Sequence, residues 1–232
     1  MPESAESLDS APLYVAMQPI VDIARRKVFA YEALLRSHAP DFTSPLPILE
    51  LAVTNKMMGR LGRRLRELAL TTCPTHPLFL NIHPSEFDEG WLVRPDDPIF
   101  RHDHDVFLEI TESVPLSHFQ LCRKVLHEIR GKGVYLAVDD LGAGYSNLKY
   151  IADLAPEVVK IDREIVAGVV HEGRAHKLIR AIVRLCEDLG AKVVAEGVET
   201  REELDAVLSA GVHYVQGYYI CRPAYPLPEV RF

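Results

Sequence analysis

The sequence has few cysteines, no long hydrophobic run and no excess of basic charge. Its four cysteines, Cys73, Cys122, Cys186 and Cys221, lie far apart and form no CxxC pair, which argues against a zinc cage or a disulfide scaffold. They are expected to be reduced, partly buried thiols. No apolar stretch approaches the length needed to cross a bilayer. With a net charge of -7 in 232 residues, the chain offers no basic face for duplex nucleic acid, whose binding depends on neutralising phosphates. An anionic ligand would need bound cations to receive it. The opening stretch, Met1 to Pro12, lacks the basic and apolar regions of a secretory signal and reads as a short mobile tail. A cytoplasmic protein with no membrane association is expected.

What is present suits a soluble globule: 48% hydrophobic and 25% charged residues, at a length that an alternating α/β barrel absorbs as a single domain. That domain is expected over residues 13–232. Short apolar, β-branched runs recur at Tyr14–Ile20, Val28–Leu35, Leu78–Ile82, Val106–Ile110, Val134–Val138, Glu157–Ile161, Lys192–Ala195 and His213–Val215, which predicts eight strands. Helical periodicity fills Pro47–Leu70, Leu116–Arg130, Arg163–Leu189 and Arg201–Leu208, with Gly131, Gly190 and Gly211 as stops. The segment Trp91–Asp105 reads as a loop. Only Val21 to Lys27 separate the first two runs, too few residues for a parallel crossover, so they should form an antiparallel hairpin. The expected fold is therefore α/β, a distorted (β/α)8 TIM-like barrel with one antiparallel strand.

Active sites of such barrels lie at the C-terminal ends of the strands, and those ends are polar and acidic here. Asn81 closes Leu78-Phe79-Leu80, Glu109 follows Leu108, and Asp139-Asp140 follow Val138. Lys160 follows Val158-Val159, Glu196 follows Ala195, and Gln216 follows Tyr214-Val215. Singly, each has a bland explanation: Asp140 could cap a turn, Asp162 the next helix, and Lys160 could be solvated. A converging set of carboxylates would instead repel itself unless cations occupied its middle. Oxygen donors without matching His or Cys select hard ions, Mg2+ or Mn2+ rather than zinc. Two ions about 3.5–4 Å apart would hold an attacking hydroxide and stabilise the leaving oxygen of a phosphodiester. Lys160 could offset charge on the phosphate or orient the water, with Asn81 and Gln216 as neutral contacts.

Tyr31-Glu32-Ala33-Leu34-Leu35-Arg36, Leu108-Glu109-Ile110-Thr111-Glu112-Ser113 and Asp139-Asp140-Leu141-Gly142-Ala143-Gly144-Tyr145-Ser146 occur in order, followed by Val159-Lys160-Ile161-Asp162, Ala195-Glu196-Gly197-Val198-Glu199-Thr200 and Gln216-Gly217-Tyr218-Tyr219. From Tyr14 to Pro223 the chain resembles the bacterial EAL-domain cyclic di-GMP phosphodiesterases. The resemblance implies a distorted barrel that cuts cyclic di-GMP to linear pGpG with Mg2+ or Mn2+. It implies metal ligation by Glu32, Asn81, Glu109, Asp139 and Asp140. Lys160 and Glu196 would position or deprotonate the nucleophilic water, with Gln216 beside them. Gln18, Arg36 and Asp162 would contact the substrate, the Arg36 guanidinium being suited to phosphate. The resemblance also implies a homodimer whose contacts are coupled to metal through the loop Leu141–Asn147, anchored by Glu112. Leu141, Ala143, His83 and Val53 depart from the family's usual residues, which bears on that coupling and on turnover more than on metal binding. No GGDEF, receiver or PAS region fits within these residues, and regulation through the tail, a dimer or a partner protein is expected.

Three rival readings differ in what they predict. A cyclic di-GMP receptor on the same fold would bind without product, but such members usually lack a metal ligand and this chain lacks none. A dinucleotide-dependent oxidoreductase is prompted by Gly142-Ala143-Gly144, yet Asn147 stands where the third glycine belongs and Asp139-Asp140 would repel a pyrophosphate. A structural role, with acidic ends serving only as turns, predicts no rise in melting temperature with Mg2+.

Overall fold

Eight strands close on themselves in chain order: β1 (Leu13–Asp22), β2 (Lys27–Ser37), β3 (Leu78–Asn81), β4 (Val106–Thr111), β5 (Tyr135–Leu141), β6 (Val158–Ile161), β7 (Lys192–Ala195) and β8 (Tyr214–Val215). The computed structural model describes Leu8 and residues 11–40, 42, 44–88, 90–111, 119–142 and 148–232. β1 runs antiparallel to both β2 and β8, and every other neighbouring pair is parallel. The expected barrel and hairpin are thus both present. The hairpin turn is held by the Asp22 carboxylate, which accepts from the Arg25 backbone N–H at 2.9 Å, and Arg26 takes the left-handed φ of 52° that the reversal needs.

Between the strands run α1 (Leu46–Thr54), α2 (Met58–Thr72), α3 (Ser85–Asp88), α4 (Phe119–Gly131), α5 (Leu148–Leu154), α6 (Arg163–Val166), α7 (Arg174–Asp188) and α8 (Arg201–Ser209). Two expected helices are each divided. The run Pro47–Leu70 breaks because Lys56 adopts a φ of 53°; Met57 N–H bonds Ala52 O and Lys56 N–H bonds Val53 O, the bonding pattern of a helix end closed by a left-handed residue. The run Arg163–Leu189 breaks because Gly168 has a φ of 67° and Gly173 is the extended N-cap of α7. The expected loop Trp91–Asp105 contains one turn of 3-10 helix, Pro98–Arg101, capped by Asp97 accepting from Ile99 N–H. Gly131 is the last residue of α4 rather than its stop, and the left-handed residue is Gly133.

An alternation of period two organises the barrel interior. Ile20, Ala30, Phe79, Phe107, Ala137, Val158 and Val194 pack together as an apolar floor, with Phe29 and Tyr214 against it. Phe79 and Phe107 stack with ring centroids 4.4 Å apart, and fully burying each such ring contributes about 1.5–3 kcal/mol. The intervening strand residues, among them Leu78, Leu108, Leu136, Val159 and Val193, join two further cores that include residues of the helices. One step towards the mouth on the inner face, each floor residue is followed by a polar one. Cys73 and Cys186 are buried and Cys221 half-buried, all free thiols; the Cys122 side chain lies outside the described residues.

Candidate active site

The polar layer above the floor consists of Gln18, Glu32, Asn81, Glu109, Asp139, Lys160, Glu196 and Gln216, each two positions from a floor residue on its own strand or just beyond its end. Register delivers them to one level: Gln18 pairs with Glu32 across the hairpin, and Asn81 with Glu109 across β3 and β4. At the centre stands Lys160, 1% exposed. Its Nζ lies 3.3 Å from Glu32 Oε2, 2.5 Å from Glu109 Oε1, 3.1 Å from Asp139 Oδ1 and 2.6 Å from Glu196 Oε1. An amide chain closes the ring on the hairpin side. Asn81 Nδ2 donates to Glu32 Oε1 at 3.1 Å, and Gln216 Nε2 donates to Glu32 Oε2 at 2.6 Å and to Gln18 Oε1 at 3.2 Å. Gln18 Nε2 in turn donates to Cys221 O at 3.3 Å.

Asp140 reaches this layer by a different route. Strict alternation would turn it away from Asp139, but the β5–β6 register shifts between Val138 and Leu141, and Asp140 has a φ of 57°. Such a bulge re-aims a side chain. The carboxylates of Asp139, Asp140 and Glu196 consequently offer oxygens within 4.8 Å of one another.

One ammonium facing five carboxylates leaves excess negative charge, and the ionisation of the acids shows it. Burial, then the Glu32 and Asp139 charges, push Glu109 well above the usual carboxylate range. Burial and the Asp139 charge raise Glu196 to about 8, against the pull of Lys160. Burial, then Asp139 and Asp162, raise Asp140 to about 6. Burial also opposes ionisation of Glu32, but Lys160, Gln216 and Asn81 outweigh it and hold that carboxyl below its ordinary value. Lys160 itself is raised well above the usual amine despite burial, because Asp139, Glu109, Glu196 and Glu32 surround it.

Glu109 Oε2 is buried with no donor among the described residues, and Glu109 Oε1 and Asp139 Oδ1 have the Lys160 ammonium, at 2.5 and 3.1 Å. Buried carboxyl oxygens grouped at a barrel mouth in excess of the positive charge there are what a hard divalent cation satisfies, since it takes several oxygen ligands and compensates their charge. The residues present therefore fit Mg2+ or Mn2+. Arg36 donates to the Leu35 carbonyl at 2.7 Å and lines, with Asn81, His83 and Thr111, a cavity of about 290 Å³. A second cavity of about 210 Å³ opens beside Gln18, Glu32, Glu196 and Gln216. Asp162 accepts from the Glu164 N–H at 2.7 Å as the N-cap of α6. Glu112 and residues 143–147, expected to couple dimer and metal, lie outside the described residues.

Sequence reasoning assigned no role to Arg163, Glu199 and Tyr218, which line the second cavity. Arg163 Nη2 pairs with Glu199 Oε1 at 3.0 Å. The adjacency of Glu199 to Glu196 was the available signal; Arg163, just after β6, had none. Also unforeseen was the buried pairing of Arg66 on α2 with Glu86 at 2.7 Å and Asp97 at 2.9 Å, behind the first cavity.

Residues 3–223 match the EAL domain family. A cyclic di-GMP phosphodiesterase of Pseudomonas aeruginosa is 30% identical over 92% of this chain and 38% of its own length. A probable cyclic di-GMP phosphodiesterase of Escherichia coli is 29% identical over 89% of this chain and 43% of its own. The chain thus spans about two fifths of these relatives. Among solved structures, a manganese and cyclic di-GMP complex of BlrP1 from Klebsiella pneumoniae superposes with a TM-score of 0.80 at 33% identity, covering 93% of this chain and 57% of the other. No described helix is long and apolar enough to cross a membrane.

Proposed function

Because the chain belongs to the EAL domain family, we propose that it hydrolyses cyclic di-GMP to linear pGpG at the acidic barrel mouth. The observation that carries this is the convergence of the Glu32, Glu109, Asp139, Asp140 and Glu196 carboxyls at one level, with a single ammonium, Lys160, among them and Glu109 Oε2 left without a donor among the described residues. Glu32, Asn81, Glu109, Asp139 and Asp140 would hold Mg2+ or Mn2+. When bound, such ions lower the pKa of water and neutralise charge on the phosphoryl oxygens.

The chain's own residues do the rest. Glu196, within 2.6 Å of Lys160 and grouped with Asp139 and Asp140, is placed to take a proton from the attacking water once a cation has discharged its own. Lys160, pinned by four carboxylates, contributes a fixed positive charge where negative charge develops in the transition state. Gln216 and Asn81 orient Glu32 through their amide hydrogen bonds. Arg36 borders one cavity together with Asn81, and Gln18 borders the other together with Glu32 and Glu196, which supports their contact with substrate. Incubation with cyclic di-GMP and Mn2+ or Mg2+ should release pGpG, and a chelator should stop it. Binding without release would make the protein a receptor rather than an enzyme.

A further inference from the structure

We propose that His171, Glu172 and His176 form a second cation site, of imidazole type, that takes Zn2+ or a similar late first-row divalent ion and shares no residue with the barrel mouth. His171 and Glu172 belong to the connection between α6 and α7, and His176 to the first turn of α7. One candidate ligand atom from each lies within 4.8 Å of those of the other two. His171 and Glu172 are exposed, whereas His176 is 1% exposed.

The decisive atom is His176 Nδ1, which is buried and has no hydrogen-bond partner. Leaving a buried polar group unmatched is costly. Its protonation follows from Ser209, whose Oγ donates its single hydrogen to Ala206 O at 2.9 Å. That oxygen can then only accept, from His176 Nε2 at 2.9 Å and from His171 Nδ1 at 3.0 Å. In the tautomer that donates from Nε2 to Ser209, Nδ1 of His176 presents its lone pair. A hydrogen-bond acceptor on the far nitrogen is the usual outer support for a metal-bound histidine, and here Ser209 Oγ supplies it.

Glu172 Oε1 lies 4.0 Å from that lone pair. Two ligands on tetrahedral zinc, each about 2.0–2.1 Å from the ion, stand about 3.4 Å apart, so the pair needs to close by only about 0.6 Å. The His171 ring meets the His176 ring nearly edge-on with centroids 4.9 Å apart; with Nδ1 bonded to Ser209 Oγ, Nε2 is the nitrogen this exposed ring offers to an ion. Arg180 Nη1, 3.4 Å from Glu172 Oε1, competes for the carboxylate only weakly, because an exposed pair contributes about 0–1 kcal/mol. Two imidazoles and one carboxylate select zinc-like ions over magnesium, which prefers an all-oxygen shell. Water would complete the tetrahedron.

The test is a Zn2+ titration of the full chain against a chromogenic chelator, with excess Mg2+ present to occupy the oxygen-rich mouth. A single equivalent should be retained. H171A and E172Q, at exposed positions, should each weaken zinc binding by more than about tenfold while leaving the melting temperature of the metal-free protein unchanged. Co2+ in place of Zn2+ should give a d–d absorption band that both variants lose. Zinc affinity equal in the wild type and both variants, or no zinc retained against the chelator, would overturn the proposal. Neither readout depends on phosphodiesterase activity.

Discussion

At the scale of single residues, Lys160 is the group whose role the structure alters most. A lysine at a strand end invites the reading of a solvated catalytic helper; here it is a buried ammonium held by four carboxylates. Removing one partner from a buried ionic set leaves charge uncompensated. Lys160→Met should therefore destabilise the metal-free protein by about 3–5 kcal/mol, read by urea denaturation, with Mg2+ recovering part of the loss. It should also cut turnover by orders of magnitude, as for a group acting in the transition state. Unchanged pGpG release would remove Lys160 from the mechanism. Glu32→Gln keeps the shape and removes the charge. The variant should still unfold cooperatively, yet lose both the Mg2+-dependent rise in melting temperature and product release. A rise equal to that of the wild type would place the ion elsewhere.

At the scale of elements, the site is only as rigid as the segments that carry it. α2 is tied to α3 and to the following loop through Arg66, which is 3% exposed and paired with Glu86 and Asp97. Arg66→Ala should cost about 3–5 kcal/mol by stranding two buried carboxylates, measurable as a lower denaturation midpoint. A smaller loss would mean that water enters to solvate them. α8 begins with a capping box in which Thr200 accepts from Glu203 N–H at 3.1 Å and Glu203 Oε2 accepts from the Thr200 N–H at 3.1 Å. Oε1 of the same Glu203 accepts from Gly168 N–H at 2.8 Å, joining the α6–α7 connection to α8. Thr200→Ala should cost about 1 kcal/mol and leave metal binding intact. Thermal unfolding with and without Mn2+ separates the two effects.

At the scale of the whole molecule, the acidic mouth makes stability a function of pH. Glu196 moves from 4.5 to about 8 and Asp140 from 3.8 to about 6 on folding. Groups raised in this way keep protons in the folded state that the unfolded chain has already lost. These two groups should thus make the metal-free protein less stable as pH rises from about 4 to about 8, with Glu109 acting in the same direction and Glu32, held below its ordinary value, opposing it only at the acid end. Lys160 does not oppose this trend, because both its folded and unfolded values lie above that window. A divalent cation that displaces those protons should stabilise more at pH 8 than at pH 5. Denaturation midpoints across that range, with chelator and with Mg2+, check both slopes. A flat profile in chelator would show that the carboxylates ionise freely.

The sequence by itself determined the barrel, the hairpin and most of the polar layer, because the strands and their polar ends depend on a period of two that is local to each strand, and the hairpin on the short connection between β1 and β2. Phe79 and Asn81, Phe107 and Glu109, Val158 and Lys160 each carry floor and function on one inner face, and that face is legible without knowing what lies opposite. Helix boundaries were less legible at Lys56 because a left-handed residue there carries no glycine to announce it, whereas Gly168 and Gly173 were available signals. What only the tertiary structure decided is where charges meet. Asp140 joins the carboxylates because a bulge turns it in, Lys160 sits among them rather than beside them, and Ser209 from α8 meets His176 of α7 at 2.9 Å. Those outcomes depend on distances between segments remote in sequence, and electrostatic and hydrogen-bond energies change steeply over the few ångströms that the closing of the barrel sets.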